Sequence, residues 1–167
     1  NAVINNKNGG IIIINGGSII STGTRSAIYN ESGGTVEIKG DSYLSSTATG
    51  YPSGSTIERG TVHNLAGGTV VITGGTIIGV NQQALSNQGN MTIGVKNDGS
   101  VSSTSPVIIG NTSGIKNEGT LNIYDGIIKG QTASIVGTVS DTEDNSVRVD
   151  STEVIDDTTY QTTYWEL

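Results

Sequence analysis

The 167-residue chain offers few side chains that could do catalytic chemistry. It has no cysteine and one histidine, which excludes thiolate nucleophiles, disulfides and paired histidines. That histidine, His63, occupies a variable position of the repeat described below, and we expect it on the surface. Glycoside hydrolysis needs two carboxylates roughly 5–10 Å apart. Glu31, Glu37 and Glu118 could share a face, but no repeat position carries acids in neighbouring copies.

Basic residues, which a lyase would need in a cluster, are instead scattered singly along the chain. They are Lys7, Arg25, Lys39, Arg59, Lys96, Lys116, Lys129 and Arg148. The sequence therefore predicts a protein that is not an enzyme.

No motif for a metal or cofactor is present. Many bacterial β-rolls bind calcium through a Gly-Gly-x-Gly-x-Asp repeat, but the glycine pairs here are followed by Thr, Ser or Ile. The segment 141–145 is rich in oxygen ligands, yet it lacks the glycine and terminal glutamate of a calcium-binding hand loop. We expect a solvated turn there, and no metal or cofactor in the protein.

The amino-acid composition limits the fold class and the classes of partner that the chain can have. Only 33% of residues are hydrophobic, most of them Ile and Val, and there are 25 glycines, a mixture that disfavours helix. The net charge of −7 disfavours nucleic acid as a partner. The longest aliphatic run, Ile11 to Ile14, is far too short for membrane insertion.

A repeat organises the chain. Five copies of a four-residue segment have a small first residue, an aliphatic second, a variable third and an asparagine fourth. The five asparagines are Asn6, Asn30, Asn64, Asn87 and Asn117. Further along each copy an isoleucine recurs, at Ile14, Ile38, Ile72, Ile93 and Ile123, with another apolar residue two positions earlier and a variable one between. This period of two is typical of short β-strands with one buried face.

A third apolar position is expected after each of these isoleucines. It falls at Ile19, Tyr43, Ile77, Val101 and Ile128.

The spacing of the copies favours one architecture. Successive asparagines are 24, 34, 23 and 30 residues apart, and about 23 residues suit one coil of a parallel β-solenoid better than a propeller blade of about 40. The longer intervals then require loops near residues 45–60 and 102–113. Stacked coils would place isoleucine on isoleucine and would form a buried asparagine ladder.

These motifs resemble a known group of proteins. The segment Ala-Ile-Tyr-Asn-Glu-Ser-Gly-Gly-Thr-Val-Glu-Ile at 27–38 and the Gly-Gly-Thr-Ile at 74–77 are similar to the right-handed parallel β-helix (pectin-lyase-like) repeats of bacterial cell-surface and adhesin proteins. The resemblance covers about residues 3–130. It implies an extracellular, structural or adhesive protein at the bacterial cell surface, and it carries over no catalytic position.

The C-terminal residues differ from the repeat. Eight of the 15 acids and only one base, Arg148, lie from Asp141 onward. We expect residues 1–140 to form the β-solenoid domain and residues 141–167 an acidic β cap or docking segment. The predicted fold is therefore all-β, a right-handed parallel β-helix of about five coils with a C-terminal β-hairpin cap.

Two regions are candidates for contacts with partners. Ile11 and Ile13 occupy positions that point outward in other copies. Asn1 lies two residues before the first core position, so we expect either a longer solenoid or a docking end. An end-to-end contact would join these residues to the aromatic tail residues of another copy or to neighbouring domains of a longer chain. Those tail residues are Tyr160, Tyr164 and Trp165.

The other candidate is the loop at 45–60. Its Tyr51, Glu58 and Arg59 suit contact with a host or cell-wall glycan or with a protein. The sequence thus predicts a non-enzymatic surface stalk or a subunit of an end-to-end filament. The alternative is a carbohydrate-binding or carbohydrate-processing module that uses this loop.

Overall fold

The computed structural model describes residues 2–53, 55–97 and 99–167, and these residues form an all-β structure. Asn1, Gly54 of the expected 45–60 loop, and Asp98 lie outside the described residues. The strands are β1 (Ile4–Asn6), β2 (Ile11–Ser21), β3 (Ile28–Asn30), β4 (Thr35–Ser46), β5 (Val62–Asn64), β6 (Thr69–Ile72), β7 (Thr76–Gly79), β8 (Leu85–Asn87), β9 (Asn90–Ile93), β10 (Val107–Gly110), β11 (Ser113–Asn117), β12 (Thr120–Ile123), β13 (Ile127–Gly130), β14 (Ala133–Val136), β15 (Asp141–Thr142), β16 (Val147–Ile155) and β17 (Thr158–Glu166).

The strands form two sheets. The smaller sheet is parallel, in the order β1-β3-β5-β8-β11-β14. The larger sheet contains two stacks of parallel strands that β2 and β4 join, because each of these long strands runs through both stacks. One stack continues through β6, β9, β12 and β15, and the other through β7, β10 and β13. The sequence repeat therefore returns to each stack in register.

The core lies between the two sheets. Ile14, Ile38, Ile72, Ile93 and Ile123 pair in register from strand to strand, and all five are buried. Ile28, Val62 and Leu85 of the small sheet belong to the same hydrophobic cluster. Burying one such aliphatic side chain contributes about 1.5–3 kcal/mol, so this continuous column is a main source of stability.

The third apolar position differs from the prediction in two copies. Leu44, rather than Tyr43, pairs with Ile19 and Ile77, and Tyr43 faces outward. The reason is an extra residue at the bend of β4, where the register with β2 shifts between Asn15 and Gly17.

In the fourth copy the core residue is Ile108 of β10, which pairs with Ile77 and Ile128. Val101 was expected there, but it lies outside the strands and is only partly buried against the core. The insertion is longer than the three residues that the spacing indicated.

The C-terminal residues pack onto this body as a hairpin. β16 and β17 are antiparallel, and the turn between them holds Asp156 and Asp157 at positive φ. β17 pairs antiparallel with β13 and places Trp165, only 5% exposed, in the core cluster. The hairpin therefore covers the last repeat strand of one stack, while β15 still pairs in parallel with β12 in the other.

The five repeat asparagines form a hydrogen-bonded ladder at the end of the small sheet. In the first four copies the Nδ2 donates to the Oδ1 of the asparagine in the next copy at 2.7–2.8 Å, and Asn117 Nδ2 donates to the carbonyl oxygens of Gly119 and Thr138. Asn30 Nδ2 also donates to the carbonyl oxygens of Gly34 and Thr69, and Asn64 repeats this pattern with Gly68 and Asn90. The amides thus satisfy backbone carbonyls at the turns.

The glycine pairs of the repeat lie directly beside the asparagine ladder, where a larger residue would not be accommodated. Gly33 has φ +78°, a conformation that favours glycine. A Cβ on Gly34 would collide with the side-chain oxygen of Asn30 and the amide nitrogen of Asn6. The turn and the ladder are therefore one structural unit.

Replacing Asn64 with alanine removes two rungs of the ladder and leaves a cavity. We expect the free energy of unfolding to fall by about 2–4 kcal/mol in chemical denaturation. Asn122→Ala is the matched control, because Asn122 lies in the variable outward position of β12 and is only partly buried. It should change the free energy by less than about 0.5 kcal/mol. Equal effects of the two substitutions would contradict a stabilising role of the ladder.

Candidate functional site

A loop covers the outer face of the small sheet. This crossing loop, residues 47–60, connects β4 to β5. Its Glu58 carbonyl accepts hydrogen bonds from Gln83 Nε2 at 2.7 Å and from Ser86 Oγ at 2.6 Å. Its Glu58 carboxylate pairs with Lys116 Nζ at 3.1 Å. The loop therefore buries part of the face that the third repeat position was expected to expose.

Further contacts fix the crossing loop along the sheet. Ser55 Oγ donates to Gln88 Oε1 at 2.9 Å, and Thr56 Oγ1 donates to Glu118 Oε2 at 2.6 Å. Ile57, a residue of the loop itself, is fully buried. The loop is thus a packed part of the fold.

The three predicted recognition residues have different surroundings in this loop. Tyr51 is exposed, and its hydroxyl donates to Glu58 Oε1 at 3.3 Å. Glu58 is occupied by that contact and by the ion pair with Lys116. Arg59 is 9% exposed, and its Nη1 donates to the Thr49 carbonyl at 3.0 Å. Arg59 alone combines a fixed position with a charge that no acid neutralises among the described residues.

His63 is buried, contrary to the expectation of a surface position. It is fully inaccessible beneath the crossing loop, and its ring stacks on Tyr29 with centroids 5.4 Å apart and planes 13° apart. Neither ring nitrogen has a hydrogen-bond partner of acceptable geometry. The sequence indicated that a loop leaves the repeat here, but it did not indicate that the loop returns over this face.

Burial lowers the pKa of His63 to about 4. Desolvation is the larger cause, the charge of Arg59 adds to it, and the nearby Glu58 carbonyl partly opposes both. His63 is therefore neutral at pH 7 and has no partner with which to exchange a proton.

A pocket of about 270 Å³ lies between the crossing loop and the first two repeat copies. Its lining includes Asn5, Lys7, Arg25, Ser26, Tyr29 and Arg59. Asn5 and Tyr29 are neighbours in register in β1 and β3. The floor of the pocket is thus the third repeat position, and its wall is the crossing loop.

Positive charge is concentrated at this pocket. Six of the eight basic residues pair with acids within 4.0 Å, among them Lys7 with Glu31 at 3.5 Å. Arg25 and Arg59 have no such partner among the described residues, and both line the pocket. Desolvation lowers the pKa of Arg59, and the nearby charge of Arg25 lowers it further. The expectation of singly scattered bases is wrong for these residues.

The sequence contains a pattern that predicts the proximity of Arg25 and Arg59. Arg25 lies two residues before Ala27, the first position of its copy, and Arg59 lies two residues before Thr61, the first position of the next copy. Residues at the same offset in consecutive copies are neighbours when the strands stack in register. The repeat therefore brings Arg25 and Arg59 to the same side of the sheet.

The residues expected to form an end-to-end contact differ in their exposure to solvent. Ile11 is 72% exposed and Ile13 is 57% exposed on β2, the last strand of its sheet on that side. Tyr160 and Tyr164 are partly buried on β17. Trp165 is buried in the core of its own chain, so it is not accessible to a neighbouring copy. The hairpin that was expected to carry it to the surface instead turns it inward.

The acidic segment 141–145 is more ordered than a solvated turn. Asp141 accepts a hydrogen bond from the Tyr124 hydroxyl at 2.8 Å and pairs with Lys96 at 3.5 Å. The Tyr124 hydrogen bond is the main cause of the lowered pKa of Asp141. Glu143 is buried and accepts a hydrogen bond from the Asn97 backbone amide at 3.0 Å. These contacts fix the tail to the loop that precedes β10.

His63→Phe tests the buried, neutral histidine. Between pH 6.5 and about 4 the unfolded chain binds a proton at His63 that the folded chain does not bind. Stability should therefore fall as the pH is lowered through this window, by at most about 3 kcal/mol from this residue. Phenylalanine keeps the ring beside Tyr29 and does not titrate.

The measurement is the free energy of unfolding at pH 7 and pH 4.5 for both proteins. We expect the variant to be at least as stable as the wild type at pH 7, because no hydrogen bond is lost. It should lose less stability on acidification. An identical loss in both proteins would show that His63 titrates normally in the folded state.

No protein-family model, curated protein or solved structure matches the chain. Among the described residues, no three His, Asp or Glu side chains converge on a potential metal site. No helix long and apolar enough to cross a membrane is found in them either. The pocket lined by Arg25 and Arg59, which have no acid partner among the described residues, is the candidate binding site.

Proposed function

We propose that the chain is a right-handed parallel β-helix that serves as a non-enzymatic structural and adhesive element at the outside of a bacterial cell. The observation that carries this proposal is the register of the repeat. Asparagine lies on asparagine and isoleucine on isoleucine through five copies. Such stacking supports an elongated body whose length grows with each coil.

A rod of this kind is suited to a mechanical role. Five coils at about 4.8 Å per strand give a length of roughly 24 Å. Each coil is bonded to the next through backbone hydrogen bonds in every stack and through the ladder amides. The inner positions are fixed by this stacking, while the outer positions and loops remain free to vary. A surface stalk uses both properties, because it must be stiff and must present variable groups.

The exposed sheet edges favour end-to-end association. β2 presents Ile11, Ile13 and Ile20 beside an unpaired strand edge. At the other end β16 is the outermost strand. Because β17 is antiparallel to β13 and β16 is antiparallel to β17, β16 runs in the same direction as the repeat strands. A β2 strand from a second copy, or from a neighbouring segment of a longer chain, would therefore add to β16 in parallel. A contact between two different surfaces polymerises when it does not close into a ring.

Association is measured by analytical ultracentrifugation and electron microscopy over a range of protein concentrations. We expect the wild type to form rods joined end to end, and Ile11→Lys/Ile13→Lys to remain monomeric because charges oppose pairing at the edge. The control is Val80→Lys/Val95→Lys, which changes two exposed valines away from β2. Wild-type particles that stay monomeric at high concentration, or equal loss of association in both variants, would contradict the end-to-end contact.

A second candidate function is recognition of a glycan at the crossing loop. The observation that favours it is the pocket lined by Arg25, Arg59 and Tyr29, which joins unpaired charge to an aromatic ring. The two functions are compatible, since a stalk that displays a binding pocket is an adhesin. Catalysis is not part of the proposal, because among the described residues neither ring nitrogen of the buried His63 has a hydrogen-bond partner through which to transfer a proton.

A further inference from the structure

We infer that the pocket binds one terminal acidic sugar of a glycan, with its carboxylate on Arg25 and Arg59. This inference rests on the second function proposed above and names its ligand class. Three properties of the pocket support it: its unpaired charge, its unpartnered polar atoms and its size.

The unpaired charge favours an anion as the ligand. Arg25 and Arg59 are the bases that lack an acid partner among the described residues, although the chain has an excess of acids and a net charge of −7. Two neighbouring guanidinium groups repel each other, and the burial of Arg59 weakens the screening by water. A carboxylate between them would remove this repulsion and would accept paired N–H bonds from a planar guanidinium. Arg59 is already held in place by its bond to the Thr49 carbonyl.

The unpartnered polar atoms favour a ligand with hydroxyl groups. Asn5 Oδ1 and Ser26 Oγ are buried atoms without a hydrogen-bond partner, and both residues line the pocket. Both atoms are buried in the free protein, so a ligand hydroxyl reaches them only when the Asn5 and Ser26 side chains rotate toward the pocket. Each hydrogen bond gained in this way offsets the cost of the unpaired atom. Asn5 Oδ1 only accepts hydrogen bonds, so an inorganic anion with no proton to donate cannot satisfy it. A ligand that carries both a carboxylate and hydroxyl groups satisfies the arginines and these two atoms together.

The size and the aromatic wall indicate a single sugar. The volume of about 270 Å³ is below the range of roughly 300–1,000 Å³ that holds drug-sized ligands. Tyr29 lines the pocket, and its position is fixed because its ring stacks on His63. The apolar face of a sugar ring packs on such an aromatic surface. The rest of the glycan would extend into solvent, which makes the bound residue a terminal one.

Sialyllactose and lactose form a matched pair of probes, because they differ only by a terminal acidic sugar. Binding is measured by calorimetry at low and at physiological salt. It is also followed through the imidazole NMR signals of His63, which are unique because the chain has one histidine. We expect sialyllactose to bind, more weakly at higher salt, and to shift the His63 signals through Tyr29. We expect no comparable binding of lactose.

Arg25→Gln is the main variant, because Arg25 is exposed and its replacement should not disturb folding. It should weaken sialyllactose binding at least tenfold. Lys39→Gln is the matched control on the outer face of β4, outside the pocket, and it should leave affinity unchanged. Arg59→Gln should also weaken binding, provided that its circular dichroism and unfolding curve match those of the wild type.

Several results would overturn the inference. Equal binding of lactose would exclude a role for the carboxylate, and binding of sulfate as tight as that of sialyllactose would reduce the pocket to a simple anion site. Tighter binding of an acidic peptide than of sialyllactose would assign the pocket to a protein partner. Failure of glucuronate and sialyllactose alike at millimolar concentration would exclude acidic sugars. If a glycan array shows binding that Arg25→Gln does not affect, the glycan function remains and this pocket is not its site.

Discussion

The hydrogen-bonded asparagine ladder is the interaction on which the rest of the structure depends. Turns between stacked strands leave backbone carbonyls inside the fold, and the Nδ2 groups of Asn30 and Asn64 satisfy them. The same groups donate to the next asparagine, so the strands of neighbouring copies must end at the same position along the strand direction. A slip of one residue in any strand would turn its isoleucine out of the core. The ladder therefore sets the register that the isoleucine column then stabilises.

The buried positions of the repeat are fixed by stacking, but the outward-facing residues and the loops can vary. The crossing loop is an example. The third repeat position holds Asn5, Tyr29, His63, Ser86 and Lys116 without disturbing β-pairing. The loop covers the middle of this row and leaves its beginning open, which creates the pocket. A flat outer face thus becomes a concave site without any change in the stacked strands.

The sequence predicts the interior well and the exterior poorly, for a physical reason. Buried positions repeat because neighbouring copies touch there, so Asn64 and Ile72 are identifiable from spacing alone. The path of an insertion depends on contacts between residues far apart in sequence, such as Glu58 with Ser86. For that reason the burial of His63 and the inward position of Trp165 were not predictable from the pattern. Arg25 and Arg59 were predictable in principle, since their shared offset follows from the repeat itself.

The distribution of charge supports the proposal that the pocket with Arg25 and Arg59 is a binding site. An acid is available near the pocket, since Glu31 lies in its lining, yet Glu31 pairs with Lys7, and neither guanidinium group has an acid partner among the described residues. At the opposite end, the acidic tail supplies Asp141 and Asp144 to a single Lys96. Two acids thus pair with Lys96, whereas Arg25 and Arg59 at the pocket have no acid partner among the described residues. Repulsion between the guanidinium groups of Arg25 and Arg59 destabilises the free protein, and a bound anion would remove this repulsion.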